Sequence, residues 1–237
     1  MSFPEYNRNY AMQEFLLHGE YQLLDKLSNV QTIFDVGCNV GEWSRMARSL
    51  HPDSSIHMFE VVPQTFKKML GNDVLDSNTH PNNFGLSATM GTIPMKIRAD
   101  NDRVSTSVLS LRHDNSFIGE GLVVPGDTYC RVQNIQYIDY LKIDTEGHEY
   151  SVLEGFTQMF QQEKIGCIQF EYGYISVLTK KLLIDFYQLL TPHNFILGKI
   201  TPEGVKFKDY HLFDEDFKGP DYLAVHKSRQ DIIDRIK

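Results

Sequence analysis

Between Lys142 and Glu149 the chain reads Lys-Ile-Asp-Thr-Glu-Gly-His-Glu, and four of these eight residues are acidic or histidine. Asp144, Glu146 and His148 are spaced two apart, so a turn can bring them to one point. There they could hold a divalent cation such as Mg2+, or a hydroxyl awaiting deprotonation. The competing reading is structural: Glu146 and Glu149 cap the following helix at its positive end and pair with Lys142. The structural reading is preferred for Glu149 and the chemical one for Asp144. Glu171 closes the apolar run Ile-Gln-Phe-Glu. An acid there is costly unless solvated or paired, so it faces the same site or meets a lysine or a backbone amide.

A second cluster lies upstream, in Asp35-Val36-Gly37-Cys38-Asn39-Val40-Gly41. Gly37 and Gly41 free the backbone and leave room for a ligand to lie close. Glu60 comes 19 residues after Gly41, at a strand end where a carboxylate can accept both hydroxyls of a ribose. The dinucleotide fingerprint GxGxxG is not met, since the third glycine is missing and an Asp stands in front. A carboxylate repels pyrophosphate but suits a ligand carrying an ammonium and a sulfonium, so the charges favour S-adenosylmethionine over NAD.

The elements that must position these residues alternate. Thr32–Gly37 is a strand and Glu42–His51 a helix; Ser55–Glu60 is the next strand and Pro63–Leu70 the next helix, with Pro63 in its first turn. Such alternation argues for parallel pairing through right-handed crossovers. Residues 138–144 and 165–173 continue as strands, 149–160 and 180–190 as helices, and 195–200 and 221–227 as closing strands with an antiparallel edge. The expected fold is therefore α/β, a Rossmann-like, doubly wound, mainly parallel sheet whose ligands bind beyond the carboxyl ends of the strands. One domain covers 1–237, with a helical extension over 1–30 that includes one amphipathic helix over 10–27. A β-rich insertion spans 86–137, with strands at 92–97 and 107–111 and a mobile loop over 112–126 as a lid.

Composition sets the outer limits. With 41% hydrophobic and 23% charged residues among 237, the chain has the makings of a substantial core. Its formal charge of −8 is unsuited to gripping a phosphate backbone, so nucleic acid is not the expected partner. No apolar run reaches the length of a membrane span, and the first ten residues are too polar for a signal-peptide core. The three cysteines, Cys38, Cys130 and Cys167, form neither a disulfide framework nor a zinc site, which fits a reducing cytoplasm. Trp43 and the methionines read as core. The remaining histidines fall in no chemical constellation.

Taken together, the motifs resemble those of the FkbM family of S-adenosylmethionine-dependent methyltransferases, from about Ile33 to Glu171. FDVGCNVGEWS resembles the family's cofactor loop and MFEVVP its acidic second-strand motif, with Val61 where a proline usually follows the glutamate. NNFGLSATMG and STSVL are similar to its third-strand segment and serine-rich stretch. IDYLKIDTEGHEYSVLEG is the most specific match, and Asp127, 17 residues before Asp144, falls where a Leu-Asp pair is frequent. The resemblance implies a class I methyltransferase fold and methyl transfer to hydroxyls of sugars, glycans or natural-product scaffolds, with a small-molecule or carbohydrate acceptor. It implies that Asp35, Gly37, Cys38, Asn39 and Gly41 line the methionine part of the cofactor and Glu60 its ribose. Asp144 would lie near the transferable methyl, with Glu146 and His148 towards the acceptor and Glu171 orienting it. An NAD-linked or nucleotide-sugar enzyme, or a non-catalytic binding module, are the alternatives on the same fold.

Overall fold

The computed structural model describes residues 8–73, 75–98, 105–108, 116–219 and 221–237. Its central sheet is built on β1 (Thr32–Val36), β2 (Ser55–Phe59), β3 (Thr79–Asn82), β7 (Ile138–Ile143), β8 (Ile165–Phe170), β9 (Phe195–Thr201), β10 (Gly204–Phe207) and β11 (Tyr222–His226). They stand in the order β10-β9-β11-β8-β7-β1-β2-β3. The pairs from β8 to β3 are parallel, whereas β11 runs antiparallel to both β8 and β9. This is the doubly wound, mainly parallel sheet expected from the alternation, with the antiparallel edge where it was placed. The strand order reverses beside β1, so the carboxyl ends of β1 and β7 open a crevice there.

Strand alternation sends side chains to two cores. Phe34 and Val36 of β1, Leu141 and Ile143 of β7, and Ile168 and Phe170 of β8 pack with Tyr129, Val152, Phe156 and Phe186 on one face. The helices there are α5 (Gly126–Val132), α6 (Glu149–Glu154), α7 (Thr157–Gln161) and α9 (Leu183–Leu190). Ile33, Tyr140 and Cys167 point to the other face, with Leu24, Trp43, Met46 and Ile233. That face is covered by α2 (Glu20–Asp25), α3 (Glu42–Leu50) and α10 (Gln230–Ile236), while α4 (Pro63–Leu70) contributes Met69.

Four expectations are corrected. The single helix over 10–27 is two, α1 (Arg8–His18) and α2, because Gly19 adopts φ +89 and presses against the Thr201 carbonyl, 2.4 Å from where a Cβ would stand. The helix over 149–160 is likewise split into α6 and α7 at Gly155, whose missing Cβ would lie 2.2 Å from the Ser87 oxygen. The expected loop over 112–126 contains a nine-residue strand, β6 (Ser116–Val124), paired antiparallel with β5 (Gly91–Arg98) and parallel with β4 (Gly85–Leu86). Its glycines serve packing: a Cβ on Gly121 would stand 2.1 Å from Val61 Cγ2, and one on Gly119 2.8 Å from Ile97 Cδ1. The strand expected at 107–111 is not formed at Ser107 and Val108, and its last three residues lie outside the described ones, as do 112–115 of the loop. A short helix absent from the sequence reading, α8 (Ile175–Thr179), follows β8.

Candidate active site

The glycine loop leaves β1 and enters α3 in four steps. Gly37 (φ +84) lies so close to the end of β7 that a Cβ would stand 1.8 Å from the Asp144 carbonyl oxygen, and no other residue can take its place. Asn39 (φ +52) and Gly41 (φ +86) complete the turn, and Gly41 is the N-cap of α3. Glu60 holds the loop from the next strand: its Oε2 accepts from Asn39 N–H (3.1 Å) and its Oε1 from Val62 N–H (2.7 Å). The cleft beside it is bounded by Gly37, Asn39, Val61, Gly85, Leu86, Ile93, Met95, Asp144, Glu146 and His148, and encloses about 60 Å³. The inner face of the β4-β6-β5 sheet forms its roof.

Cys38 borders a hollow beyond the loop, but not through its sulfur. Its thiol turns into the core, 3.4 Å from the Met69 sulfur, and burial pushes its pKa well up. Only its backbone belongs to the loop, where its N–H donates to the Phe59 carbonyl.

On the far side of the loop a second hollow of about 250 Å³ shares Gly37, Asn39 and Asp144 with the first, and adds Ala11, Phe15, Asp35, Trp43 and Lys142. Its floor is a row of polar residues at one level of the sheet, since Asp35 is in register with Lys142 and Lys142 with Gln169. Asp35 is fully buried; its Oδ2 accepts from Ser44 Oγ (2.6 Å), and its Oδ1 has no partner. Burial raises its pKa, against the pull of Lys142 and Ser44. The Lys142 ammonium sits 2.9 Å from Asp144 Oδ2. Burial disfavours its charge, but Asp144, Asp35, Glu20 and Asp221 outweigh that and push its pKa up. Behind it, Gln169 Nε2 donates to Glu20 (2.6 Å) and Asp221 (2.5 Å), while Trp43 Nε1 donates to Glu20 (3.0 Å). Sequence reasoning passed over Lys142, Gln169 and Glu20 as members of this network. The available signal was a lysine and a glutamine inside apolar buried strands.

The Lys-Ile-Asp turn is shaped by two consecutive left-handed residues, Glu146 (φ +54) and Gly147 (φ +108). Glu149 makes the turn: its Oε1 accepts from Thr145 N–H and Oγ1 and from Gly147 N–H. That is the structural role expected for it, although Lys142 pairs with Asp144 and not with either glutamate. Thr106, fully buried, donates its hydroxyl to the Glu146 carbonyl and brings the serine-rich segment to the site.

The convergence expected of Asp144, Glu146 and His148 takes in Glu171 in place of His148. One carboxylate oxygen each of Asp144, Glu146 and Glu171 lie within 4.8 Å of one another, a set that could hold one metal ion. That span is about twice a calcium–oxygen bond of roughly 2.4 Å. His148 lines the cleft but its Nε2 is engaged by Ser87 Oγ at 2.9 Å, and burial lowers its pKa. The Glu171 Oε2 is buried with no partner, and burial plus Asp144, Glu146 and Glu149 raise its pKa. Burial, Asp144 and Glu149 likewise push Glu146 up to about 8. Asp127 lies elsewhere, its carboxylate accepting from Gln158 N–H and Met159 N–H.

The residues present fit an S-adenosylmethionine with its two ends on either side of the glycine loop. Asp35 Oδ1 is an orphaned buried oxygen that an ammonium would satisfy, Gly37 lets the loop close against the end of β7, and the Glu60 carboxylate faces the cleft beside the loop. No helix among the described residues is long and apolar enough to cross a membrane.

Among curated proteins, the hexuronic acid methyltransferase AglP of Haloferax volcanii is 25% identical over 189 residues, covering 75% of this chain and 74% of that protein. Similar solved structures include the precorrin-6y C5,15-methyltransferase of Geobacter metallireducens GS-15, with 15% identity, a TM-score of 0.43, and coverage of 86% of this chain and 84% of that one. Another is the plantazolicin methyltransferase BpumL in complex with a monoazolic desmethylPZN analog and SAH, with 10% identity, a TM-score of 0.49, and coverage of 92% and 88%. The methyltransferase FkbM domain matches residues 35–195, a stretch that holds the glycine loop, Glu60, the Lys-Ile-Asp turn and Glu171. The chain therefore belongs to the FkbM family of S-adenosylmethionine-dependent methyltransferases.

Proposed function

We propose that this protein is an O-methyltransferase whose acceptor is a hydroxyl of a sugar. The observation that carries the oxygen acceptor is the meeting of Asp144, Glu146 and Glu171 within 4.8 Å, beside the loop that would hold the cofactor. Three carboxyl groups accept hydrogen bonds from hydroxyls and can take a proton from one. The sugar acceptor rests on the 25% identity to a protein named for its action on hexuronic acid.

When bound, S-adenosylmethionine supplies an electrophilic methyl on a positively charged sulfur. Asp35 would take its ammonium and Glu60 its ribose hydroxyls, with Gly37 and Asn39 between them. Asp144, fixed by Lys142 through Oδ2, would present its other oxygen towards the sulfonium and help hold the acceptor in line. An alcohol is a poor nucleophile at neutral pH, so a base must receive its proton as the new bond forms. Glu146 suits that role, because a carboxyl raised to about 8 is a far stronger base than an ordinary one. His148 does not, since Ser87 occupies its Nε2. Glu171 would orient the acceptor from the neighbouring strand end.

The test is calorimetric titration with S-adenosylhomocysteine, with NADH as the control. Micromolar binding of the first and none of the second is expected. Binding of NADH alone would overturn the reading.

A further inference from the structure

The hollow on the far side of the glycine loop holds a cation that an ammonium site does not use. Lys142 lines it with a side chain only 5% exposed. Burial works against the charge of this lysine, but Asp144, Asp35, Glu20 and Asp221 outweigh that and keep it protonated. An ammonium has three N–H donors. Among the described residues Lys142 Nζ donates to one acceptor, Asp144 Oδ2 at 2.9 Å, and it sits 5.6 Å from the centroid of the Trp43 ring. The other charged residues lining the hollow are Glu14, Asp35, Glu42 and Asp144, so Lys142 is its one cation among the described residues.

Asp35 stands beside it. The two are in register on β1 and β7, neighbouring strands about 4.8 Å apart. Asp35 is fully buried, and its Oδ1 has no partner. One wall of the hollow therefore offers a carboxylate oxygen and ammonium donors side by side. An α-amino acid bears the complementary pair, an ammonium and a carboxylate on a single carbon. A lone anion would be repelled by the surrounding acids, whereas a zwitterion enters without net charge and meets both partners at once. We infer that Lys142 takes the α-carboxylate of the cofactor's methionine end while Asp35 takes its ammonium, so that the hollow selects an intact amino acid over a nucleoside lacking the carboxylate. The inference rests on the methyl-transfer reading and deepens it by naming a specificity-determining residue for the cofactor.

The experiment is calorimetric titration of the full chain with three probes: S-adenosylhomocysteine, its decarboxylated analogue and its desamino analogue. The native protein should bind S-adenosylhomocysteine about 10- to 100-fold more tightly than the decarboxylated analogue, the worth of a charge-assisted hydrogen bond. In Lys142→Met the two should bind alike, both at the weaker level, while the preference over the desamino analogue survives because Asp35 is intact. A lysine that only supported the fold would leave the carboxylate preference in place. Removing a cation from among buried acids can unfold the chain, so thermal melts accompany each titration. Lys142→Gln, which keeps a donor for Asp144, is the second variant, and there the carboxylate preference should shrink at least fivefold. Equal binding of S-adenosylhomocysteine and the decarboxylated analogue by the native protein would overturn the inference without any variant. So would an undiminished preference in a folded Lys142 variant, which would hand the carboxylate to the backbone N–H groups opening α3. No binding of S-adenosylhomocysteine by the native protein removes methyl transfer itself, whereas binding with no carboxylate preference removes the role of Lys142 alone.

Discussion

Replacing Glu146 by glutamine keeps the size and hydrogen-bonding capacity of the side chain while removing its ionisation. Glu146 is held near a pKa of about 8, against 4.5 for an unburied glutamate, by burial and by Asp144 and Glu149, with Lys142 pulling the other way. The folded protein therefore keeps a proton that the unfolded chain has lost. Stability falls as pH rises from 4.5 to about 8, by up to ~1.4 kcal/mol per pH unit, and levels off above. Over that window the full cost approaches about 5 kcal/mol. Glu146→Gln should remove this share of the slope, so the variant and the native protein should melt alike near pH 5 while the variant is the more stable at pH 9. Rate runs the opposite way, because the base must be ionised to accept the proton. Methyl transfer should climb about tenfold between pH 7 and pH 9, flattening above 8, and Glu146→Gln should lower kcat by about 10²–10⁴ while leaving S-adenosylhomocysteine affinity intact. The assays are thermal melts across pH, and transfer of a tritiated methyl to a sugar hydroxyl. A variant with native turnover, or a native rate flat from pH 6 to 9, would refute Glu146 as the base. A pH slope of stability as steep in the variant as in the native protein would refute its raised pKa, since Asp35 and Glu171, raised as well, contribute only a remainder common to both.

Two further outcomes are expected. Asp35→Asn removes the negative charge from the hollow without changing its shape, so S-adenosylhomocysteine should bind about 10- to 100-fold more weakly by calorimetry while the melting temperature holds or rises. An unchanged affinity would place the ammonium elsewhere. Gly121→Ala puts a methyl 2.1 Å from Val61 and 3.3 Å from Met95, and should cost roughly 1–3 kcal/mol, seen as a melting temperature lower by about 2–10 °C. A shift below 1 °C would mean that the β4-β6-β5 sheet is not seated on Val61 as described.

That seating bears on how the cofactor enters. Ligand sites run roughly from 300 to 1,000 Å³, and the cleft beside Glu60 encloses about 60 Å³. Ile93 and Met95 of β5 and Val123 of β6 take up the room, packing on Val61 and Val62 at the end of β2. A nucleoside can be admitted there only if these side chains, or the small sheet that carries them, move away from Glu60. The motion would be of a hydrogen-bonded unit, since β5 and β6 are paired along eight positions from Gly91↔Val123 to Arg98↔Ser116.

The parts that were legible in the sequence are those whose cause is local. Strands of β-branched and aromatic residues, and helices opened by Pro63 or by the turn at Gly41, owe their conformation to neighbours within a few residues. The parts that were not legible depend on distant partners. Gly19 breaks its helix because Thr201 presses on it, and Gly155 breaks another because Ser87 does. Gly119 and Gly121 carry the composition of a loop, yet they are glycines because Ile97 and Val61 fill the space above them. The site divides the same way. Asp144 and Glu60 were marked by position at strand ends, whereas the company that Asp144 keeps is set by sheet register. Ile143 is aligned with Phe170, so the residue after each strand, Asp144 and Glu171, must emerge side by side. His148 is four residues further along the same turn, and the left-handed pair at Glu146 and Gly147 carries it off to Ser87. Spacing along a chain predicts convergence only while the backbone stays regular. Two positive φ values in succession are enough to exchange one predicted ligand for a residue 27 positions downstream of Asp144, and that exchange turns a mixed histidine–carboxylate set into three carboxyls suited to a hydroxyl.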